Sequence, residues 1–288
     1  MKSINTLIRD VQDVLNRNDG LIADYLSENL VREVGPRVHA AFDAKEERST
    51  LRLSQMGSRC PRSLWASIHS PSSQEPLPAH ARLKYTYGHL IESLLIALAK
   101  TAGHEVTGEG DALYVDGVKG HRDCVIDGCI VDVKSASSLG YKKFADKTIA
   151  TNDPFGYLDQ LDGYLVGSAE DPLVRVKDRA YLWACDKTLG HQCLYEHRIR
   201  ELNIRERISK YKSIVALETP PACECGTVPE GKSGNIKLDT RASYNPYKWF
   251  CRPNLRCFLY ASGPVYLTKV VRTPDVPEVN RDGVVIIR

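Results

Sequence analysis

No run of apolar residues in this 288-residue chain approaches the roughly 18 needed to cross a bilayer. The opening stretch MKSINTLIRDVQDVLNRNDG is amphipathic and lacks the compact apolar core of a secretory signal, so the sequence predicts a cytoplasmic protein with no membrane partner. A strong charge of either sign is also missing. Lys and Arg number 39 against 36 Asp and Glu, a net charge of +3 that permits a polyanionic partner without demanding one. There is no internal repeat and no long low-complexity tract. Disulfides are not expected either: in a reducing compartment the nine cysteines are thiols or metal ligands. What remains is an ordinary globular composition, 42% hydrophobic and 26% charged, in a chain long enough for one large domain or one domain with appendages.

Residues 1 to about 50 read as a helical lobe, with Ile4, Leu7, Ile8, Val11, Val14 and Leu15 forming one stripe and a second helical run after Asp19-Gly20. SPSSQEPLPAH (70–80) reads as a loop. The following helix carries Tyr87, Leu90, Ile91, Leu94, Leu95 and Leu98 at helical period and stops at Gly103. Strands are predicted over 112–115, 118–126 and 129–135, separated by Asp116-Gly117 and Asp127-Gly128 turns. Asp153 with Pro154 predicts a helix start running to about Gly167. Two strands then flank Leu189-Gly190, and an amphipathic helix covers about 201–217 before Pro220-Pro221. The order of elements predicts a mixed α/β core rather than a doubly wound parallel sheet.

The stretch GHRDCVIDGCIVDVKSAS (120–137) places carboxylates and a lysine among Val, Ile and Cys. Asp127-Gly128 suits a two-residue type I′ hairpin turn, because both residues tolerate positive φ. Counting outward, Ile126 faces Cys129, Val125 faces Ile130, Cys124 faces Val131 and Asp123 faces Asp132. Two aspartates directly across a strand pair repel unless something positive lies between them. Lys134 shares the face of Asp132, while Val131 and Val133 point the other way. Two carboxylates and an ammonium on one spot form the layout of a hard-cation site with an amine beside it; a solvated edge hairpin is the plainer alternative. Glu92 lies inside an apolar helical stripe, either on its solvated flank or aimed at a cation, with His89 one turn before it. Tyr157, Gln160 and Tyr164 share one helical face, as packing residues or as a platform beside a substrate.

Taken in order, Glu92, Asp123, Asp132-Val133-Lys134, Gln160 and Tyr164 resemble the motifs of the PD-(D/E)XK nuclease superfamily. YGHLIESLL, GHRDCVIDGCIVDVKSAS, DPFGYLDQLDGY and EGKSGN resemble its phage exonucleases, related to lambda-type and RecB-type nuclease domains and to CRISPR adaptation nucleases, from about residue 51 onward. The resemblance implies a restriction-endonuclease-like core over 51–218, a mixed central sheet flanked by helices. A helical N-terminal lobe (1–50) would precede it, and a Cys- and aromatic-rich extension (219–288) would pack on it. It implies a DNA exonuclease dependent on Mg²⁺, or Mn²⁺ in its place, acting at single-stranded or duplex ends in phage replication, recombination or host DNA degradation. Glu92, Asp123, Asp132 and the Val133 carbonyl would hold the metal, Lys134 would orient or deprotonate the attacking water, and Gln160 and Tyr164 would position the strand or the amine. A single-strand annealing protein is an implied partner, and the location would be the host cytoplasm for a phage-encoded chain. A catalytically silent DNA-binding or scaffolding module and an endonuclease of the same fold are the alternatives.

Cys124, Cys129, Cys185 and Cys193 fall in apolar strands and read as small core residues. Cys60, Cys223, Cys225, Cys251 and Cys257 resemble the iron–sulfur variants of the superfamily and supply enough sulfur for an iron–sulfur cluster or a zinc ion. The chain departs from those variants in placing Ala242 and Asn245 where a Cys-x-x-Cys pair would stand. Between 237 and 260, Lys237, Arg241, Lys248 and Arg252 interleave with Tyr244, Trp249 and other aromatics. That pattern suits a single-stranded nucleic-acid channel or a small satellite core.

Overall fold

The computed structural model describes residues 2–17, 20–42, 50–57, 60–200 and 204–286. Four helices come first: α1 (Leu7–Asn16), α2 (Gly20–Phe42), α3 (Pro61–His69) and α4 (Ala79–Thr101). The α1 stripe buries Leu7, Val11 and Val14 as its spacing predicts, while Leu15 is exposed. α2 lies along α4. α4 starts at Ala79, at the end of the expected loop, and stops before Gly103 at φ +81. Its buried face is Ser93, Leu95, Ile96, Leu98 and Ala99; Tyr87, Leu90 and Leu94, placed in the same stripe by period, face solvent instead.

The strands are β1 (Val106–Thr107), β2 (Ala112–Val115), β3 (Val118–His121), β4 (Cys124–Ile126) and β5 (Cys129–Ala136). The Asp127-Gly128 turn has both φ angles positive, at 51 and 80, and the hairpin register is the expected one from Ile126↔Cys129 to Cys124↔Val131. The single strand expected over 118–126 is broken, however. β3 pairs with β2 in its own two-stranded sheet, and Arg122 explains the break: it is buried, donates to the Gly108 carbonyl and pairs with Asp111 and Asp171, drawing the chain out of the ladder.

After β5 come α5 (Ser138–Ala145), α6 (Tyr157–Gly167), β6 (Arg179–Asp186), β7 (Gln192–Arg198) and α7 (Ile204–Val215). The first residues of the last expected helix, 201–203, lie outside the described residues. α6 begins later than Asp153-Pro154 suggested. Its N-cap is Gly156 at φ +74, and the Asp153 carboxylate serves it from outside by accepting from the Gly156 and Leu158 amides. The central sheet runs β1-β4-β5-β6-β7, with β5 and β6 parallel and the other pairs antiparallel, so it is mixed as expected. Alternation divides its residues: Val131, Val133, Tyr181 and Trp183 pack with α1 and α4, and Ile130, Leu182 and Ala184 pack with α6, α7 and the β2–β3 hairpin.

The C-terminal region, expected as a Cys- and aromatic-rich extension, forms a second five-stranded sheet. β8 (Thr227–Pro229), β9 (Ile236–Leu238), the short helices α8 (Thr240–Ser243) and α9 (Lys248–Cys251), β10 (Arg256–Tyr260), β11 (Gly263–Lys269) and β12 (Glu278–Val279) follow in turn, with sheet order β12-β10-β11-β9-β8. Its apolar cluster, Cys225, Leu238, Ala242, Tyr247, Cys251 and Leu255, takes in Cys60, Trp65 and Ala66 from the start and body of α3. Among the described residues no helix is long and apolar enough to cross a membrane.

Candidate active site

The break before β4 makes the site. Asp123 is not a ladder residue opposite Asp132, where the hairpin count placed it; the β4–β5 pairing ends at Cys124↔Val131. Its side chain takes over where the backbone leaves, with Oδ2 accepting from the Val133 amide at 2.7 Å. Asp132 lies on β5 facing α6, where Gln160 Nε2 donates to its Oδ1 at 3.4 Å and to the Tyr164 hydroxyl. Lys134, two residues on and on the same face, pairs with Asp132 Oδ2 and sits 4.8 Å above the Tyr157 ring. Tyr164 is buried, and its ring fits because β3 offers Gly120: a Cβ there would come within 3.1 Å of the ring.

Glu92, on α4, lies near enough for its charge to act on Asp123 and Asp132. It is held by Arg37 of α2, whose Nε donates to Oε1 at 3.1 Å, and His89 Nδ1 lies 3.6 Å from Oε2. Neither solvated flank nor metal contact alone describes Glu92; it is a mostly buried, ion-paired carboxylate. Arg37 had no signal in the sequence that distinguishes it from any helical arginine.

Electrostatics binds the group together. Burial, then the neighbouring Asp132 and Glu92 charges, push the Asp123 carboxyl well above the usual carboxylate range. Burial also raises Asp132, against the pull of Lys134. Glu92 goes the other way: burial works to raise it, but His89 and Arg37 prevail and hold it below its ordinary value. Burial likewise works against the Lys134 charge and loses to Asp132 and Asp123, so the ammonium is held well above the normal lysine range. Asp132 Oδ2 is buried and makes no hydrogen bond of acceptable geometry, its contact being the Lys134 ion pair. Asp123 feels the charges of Asp132 and Glu92, Asp132 feels that of Glu92, and three carboxylates beside one ammonium are a donor set that suits a hard divalent cation. Val133 enters through its amide.

A second constellation lies at the junction of α3 and the C-terminal region. The sulfurs of Cys60, Cys223, Cys225 and Cys251 all lie within 4.8 Å of one another, with Cys60 and Cys251 at 3.8 Å. Sulfurs about 2.3 Å from a central tetrahedral ion stand about 3.8 Å apart, so the cage has the size of a single-metal site. Cys257, counted with these cysteines in the sequence, is buried in β10 and is not part of the group. Asn245, noted as standing in place of a cysteine, points its amide at the Cys225 and Cys251 sulfurs at 3.4 and 3.6 Å and is oriented by the Ser63 hydroxyl at 2.7 Å. Hydrogen bonds with Cys225 and Cys251 pull the Cys60 thiol down to about 2, while Cys225, Cys60 and burial push the Cys251 thiol far up.

The basic and aromatic residues of 237–260 divide. Lys248 is buried, paired with Glu75 and stacked 4.4 Å from the Tyr266 ring, and Trp249 donates its indole N–H to Glu75 Oε1 at 3.1 Å. Arg252 donates to the Cys225 carbonyl at 3.0 Å. Lys248, one of the residues expected to meet phosphate, is thus interior with its charge committed to Glu75, while Trp249 and Arg252 are half-buried. Lys237 lies half-buried on β9, Arg241 donates to the Pro154 carbonyl at 2.8 Å, and Tyr244 is exposed.

No protein-family model matches the sequence, and no curated protein matches it. Among solved structures, an alkaline exonuclease (LHK-Exo) from Laribacter hongkongensis is similar at 11% identity, covering 59% of this chain and 88% of that one, with a TM-score of 0.35. SSO0001 is similar at 16% identity, covering 70% of this chain and 89% of that one, with a TM-score of 0.38. Both likenesses are distant, and the reading of the site rests on its own geometry.

Proposed function

We propose that this chain is a metal-dependent deoxyribonuclease with a restriction-endonuclease-like core, hydrolysing phosphodiester bonds from DNA ends. The observation that carries the reading is the convergence of Asp123, Asp132 and Lys134 at the break between β3 and β4, with the Lys134 ammonium set against the buried Asp132 Oδ2. Asp123, Asp132 and Glu92 would hold Mg²⁺ or Mn²⁺, which when bound supplies an activated water and neutralises charge on the phosphoryl oxygens. Lys134 presents a fixed ammonium to the negative charge that builds on the phosphate in the transition state. Gln160 orients Asp132 and is itself anchored by Tyr164. Arg37 and His89 fix the direction of Glu92. A phage replication or recombination setting follows from the sequence resemblance alone.

The same reading includes one structural metal ion in the cage of Cys60, Cys223, Cys225 and Cys251. The cage size favours a single zinc over a multi-iron cluster, whose ligand sulfurs must stand far enough apart to enclose several irons and sulfides.

Digestion of end-labelled linear duplex and single-stranded DNA with Mg²⁺, beside EDTA and Asp132→Asn controls, tests the enzyme. Metal-dependent nucleotide release by the unmodified chain alone is the expected result. Cleavage of closed circular DNA at a similar rate would replace the exonuclease with an endonuclease, and DNA binding without any cleavage would leave a silent binding module.

A further inference from the structure

A line of aromatic rings leads from the candidate active site to the surface. Lys134 sits over Tyr157, and the Tyr157 ring lies 5.6 Å from Phe155, which meets Tyr244 edge-on at 5.5 Å. Tyr157 is partly buried, Phe155 is 44% exposed and Tyr244 is 71% exposed. The two outer rings come from opposite sides of the seam between the central core and the C-terminal sheet, and both are rigidly presented. Phe155 stands between Pro154 and Gly156, whose backbone rests against Gly57, and Tyr244 closes the short helix α8 capped by Asp239. Cationic side chains flank the segment: Lys143 donates to the Asn152 side chain at 3.3 Å and Arg241 to the Pro154 carbonyl at 2.8 Å.

Large aromatic faces left in water beside a site for phosphodiesters need an occupant with a flat apolar face and a charged backbone. In a duplex the bases are paired and stacked away from such rings, whereas an unpaired strand offers each base as a free face. Resting on the nuclease reading above, we propose that Phe155 and Tyr244 form a stacking subsite for an unpaired base of single-stranded DNA, one that leads the strand past Tyr157 to Lys134 and Asp132. The enzyme's substrate at this site is then a single strand or a frayed or tailed end, rather than a closed blunt duplex. The edge-on contact of the two rings also latches the core to the C-terminal sheet, and the test must separate that from binding.

The test uses the full chain carrying Asp132→Asn, so that DNA survives, with a fluorescein-labelled oligonucleotide as single strand and as blunt hairpin duplex. Alanine-scale losses of about 1–3 kcal/mol per stacked base correspond to roughly 5- to 150-fold in Kd. Phe155→Leu and Tyr244→Leu are each expected to weaken single-strand binding by that range while changing duplex binding less than twofold; Tyr244→Phe retains it. A 2-aminopurine placed in the strand is expected to be quenched by the parent chain and not by the double variant. Equal losses on both DNAs, unchanged single-strand binding, or no single-strand binding by the parent would overturn the subsite. If Phe155→Leu fails to fold, Tyr244→Leu on its exposed ring decides alone. The nuclease reading stands or falls separately: cleavage by the unmodified chain with intact single-strand affinity in both variants removes only the subsite, and loss of single-strand affinity without any cleavage removes only the nuclease.

Discussion

Arg37 of α2 donates from Nε to Glu92 Oε1 at 3.1 Å, joining the N-terminal helices to a candidate metal ligand 55 residues away. The same guanidinium pairs with Glu33, which is buried and also held by Lys100 at 2.6 Å. Arg37 therefore ties α2 to the candidate site, although the sequence around it carries no readable function. Arg37→Met should leave Glu33 and Glu92 undercompensated and cost on the order of 2 kcal/mol, less than a fully buried pair because the arginine is partly solvated. It should also weaken Mn²⁺ binding by about tenfold, as the loss of a group orienting a metal ligand does. Thermal unfolding and calorimetric titration with Mn²⁺ measure the two. Unchanged Mn²⁺ affinity in a folded Arg37→Met chain would remove Arg37 from the site.

Asp132 is buried and Asp123 half-buried beside it, and desolvation followed by the Asp132 charge raises the Asp123 pKa. A folded pKa above the unfolded value means that the contribution to stability is fully present below the unfolded value of about 3.9 and is lost as pH rises through the folded pKa. At neutral pH and without metal, this carboxylate therefore destabilises the fold. Asp123→Asn keeps an oxygen to accept from the Val133 amide and removes the charge. It should melt several degrees higher than the unmodified chain in EDTA, with the gap widening from pH 4 to pH 8, and should lose cleavage. A lower melting temperature in EDTA at pH 8 would contradict the charge argument.

One metal ion per chain should copurify with the protein, held by Cys60, Cys223, Cys225 and Cys251. Elemental analysis is expected to give one equivalent of zinc, none in Cys60→Ser or Cys251→Ser, and an unchanged equivalent in Cys257→Ser, whose sulfur lies outside the cage. Because α3 and α9 meet through these sulfurs, metal removal should loosen the C-terminal sheet from the core and lower the melting temperature. Several equivalents of iron with sulfide would replace the single ion with a cluster. A metal-free chain that melts as the native one does would leave four ordinary thiols.

The sequence made some of this legible because the signals were local. Asp127-Gly128 specifies its own turn, and from that turn the period of two fixes which face Asp132 and Lys134 share. What escaped depends on partners far along the chain. Asp123 leaves the ladder because Arg122 answers Asp171, 49 residues away, and Glu92 is settled by an arginine 55 residues before it. The cysteine cage closes a separation of 191 residues between Cys60 and Cys251, which spacing rules for short motifs cannot reach. In the C-terminal region, β8, β9 and β12 are only two or three residues long and leave too few periods to read, and Lys248 looks like a surface base until Glu75 is beside it.

Gly57 and Gly156 touch backbone to backbone. A Cβ built on Gly57 would lie 2.4 Å from the Gly156 Cα, and one on Gly156 would lie 2.3 Å from the Gly57 Cα, with Gly156 also at φ +74. No rotamer relieves such a contact, so Gly57→Ala must push the start of α6 away. α6 carries Gln160, whose own amide is bonded to the Gly156 carbonyl at 3.1 Å, and Tyr164 one turn beyond. A shift of about 1 Å at the groups that orient Asp132 is enough to cost about a hundredfold in rate. Gly57→Ala should therefore lose activity well beyond any loss of stability, whereas Gly140→Ala, inside α5 where an added Cβ meets only ordinary contacts with Ser137 and Ala136, should stabilise by about 0.5–1 kcal/mol. Cleavage rates and melting curves of the two variants side by side check this. Parent-level rates in Gly57→Ala would mean that α6 does not set the geometry of Asp132.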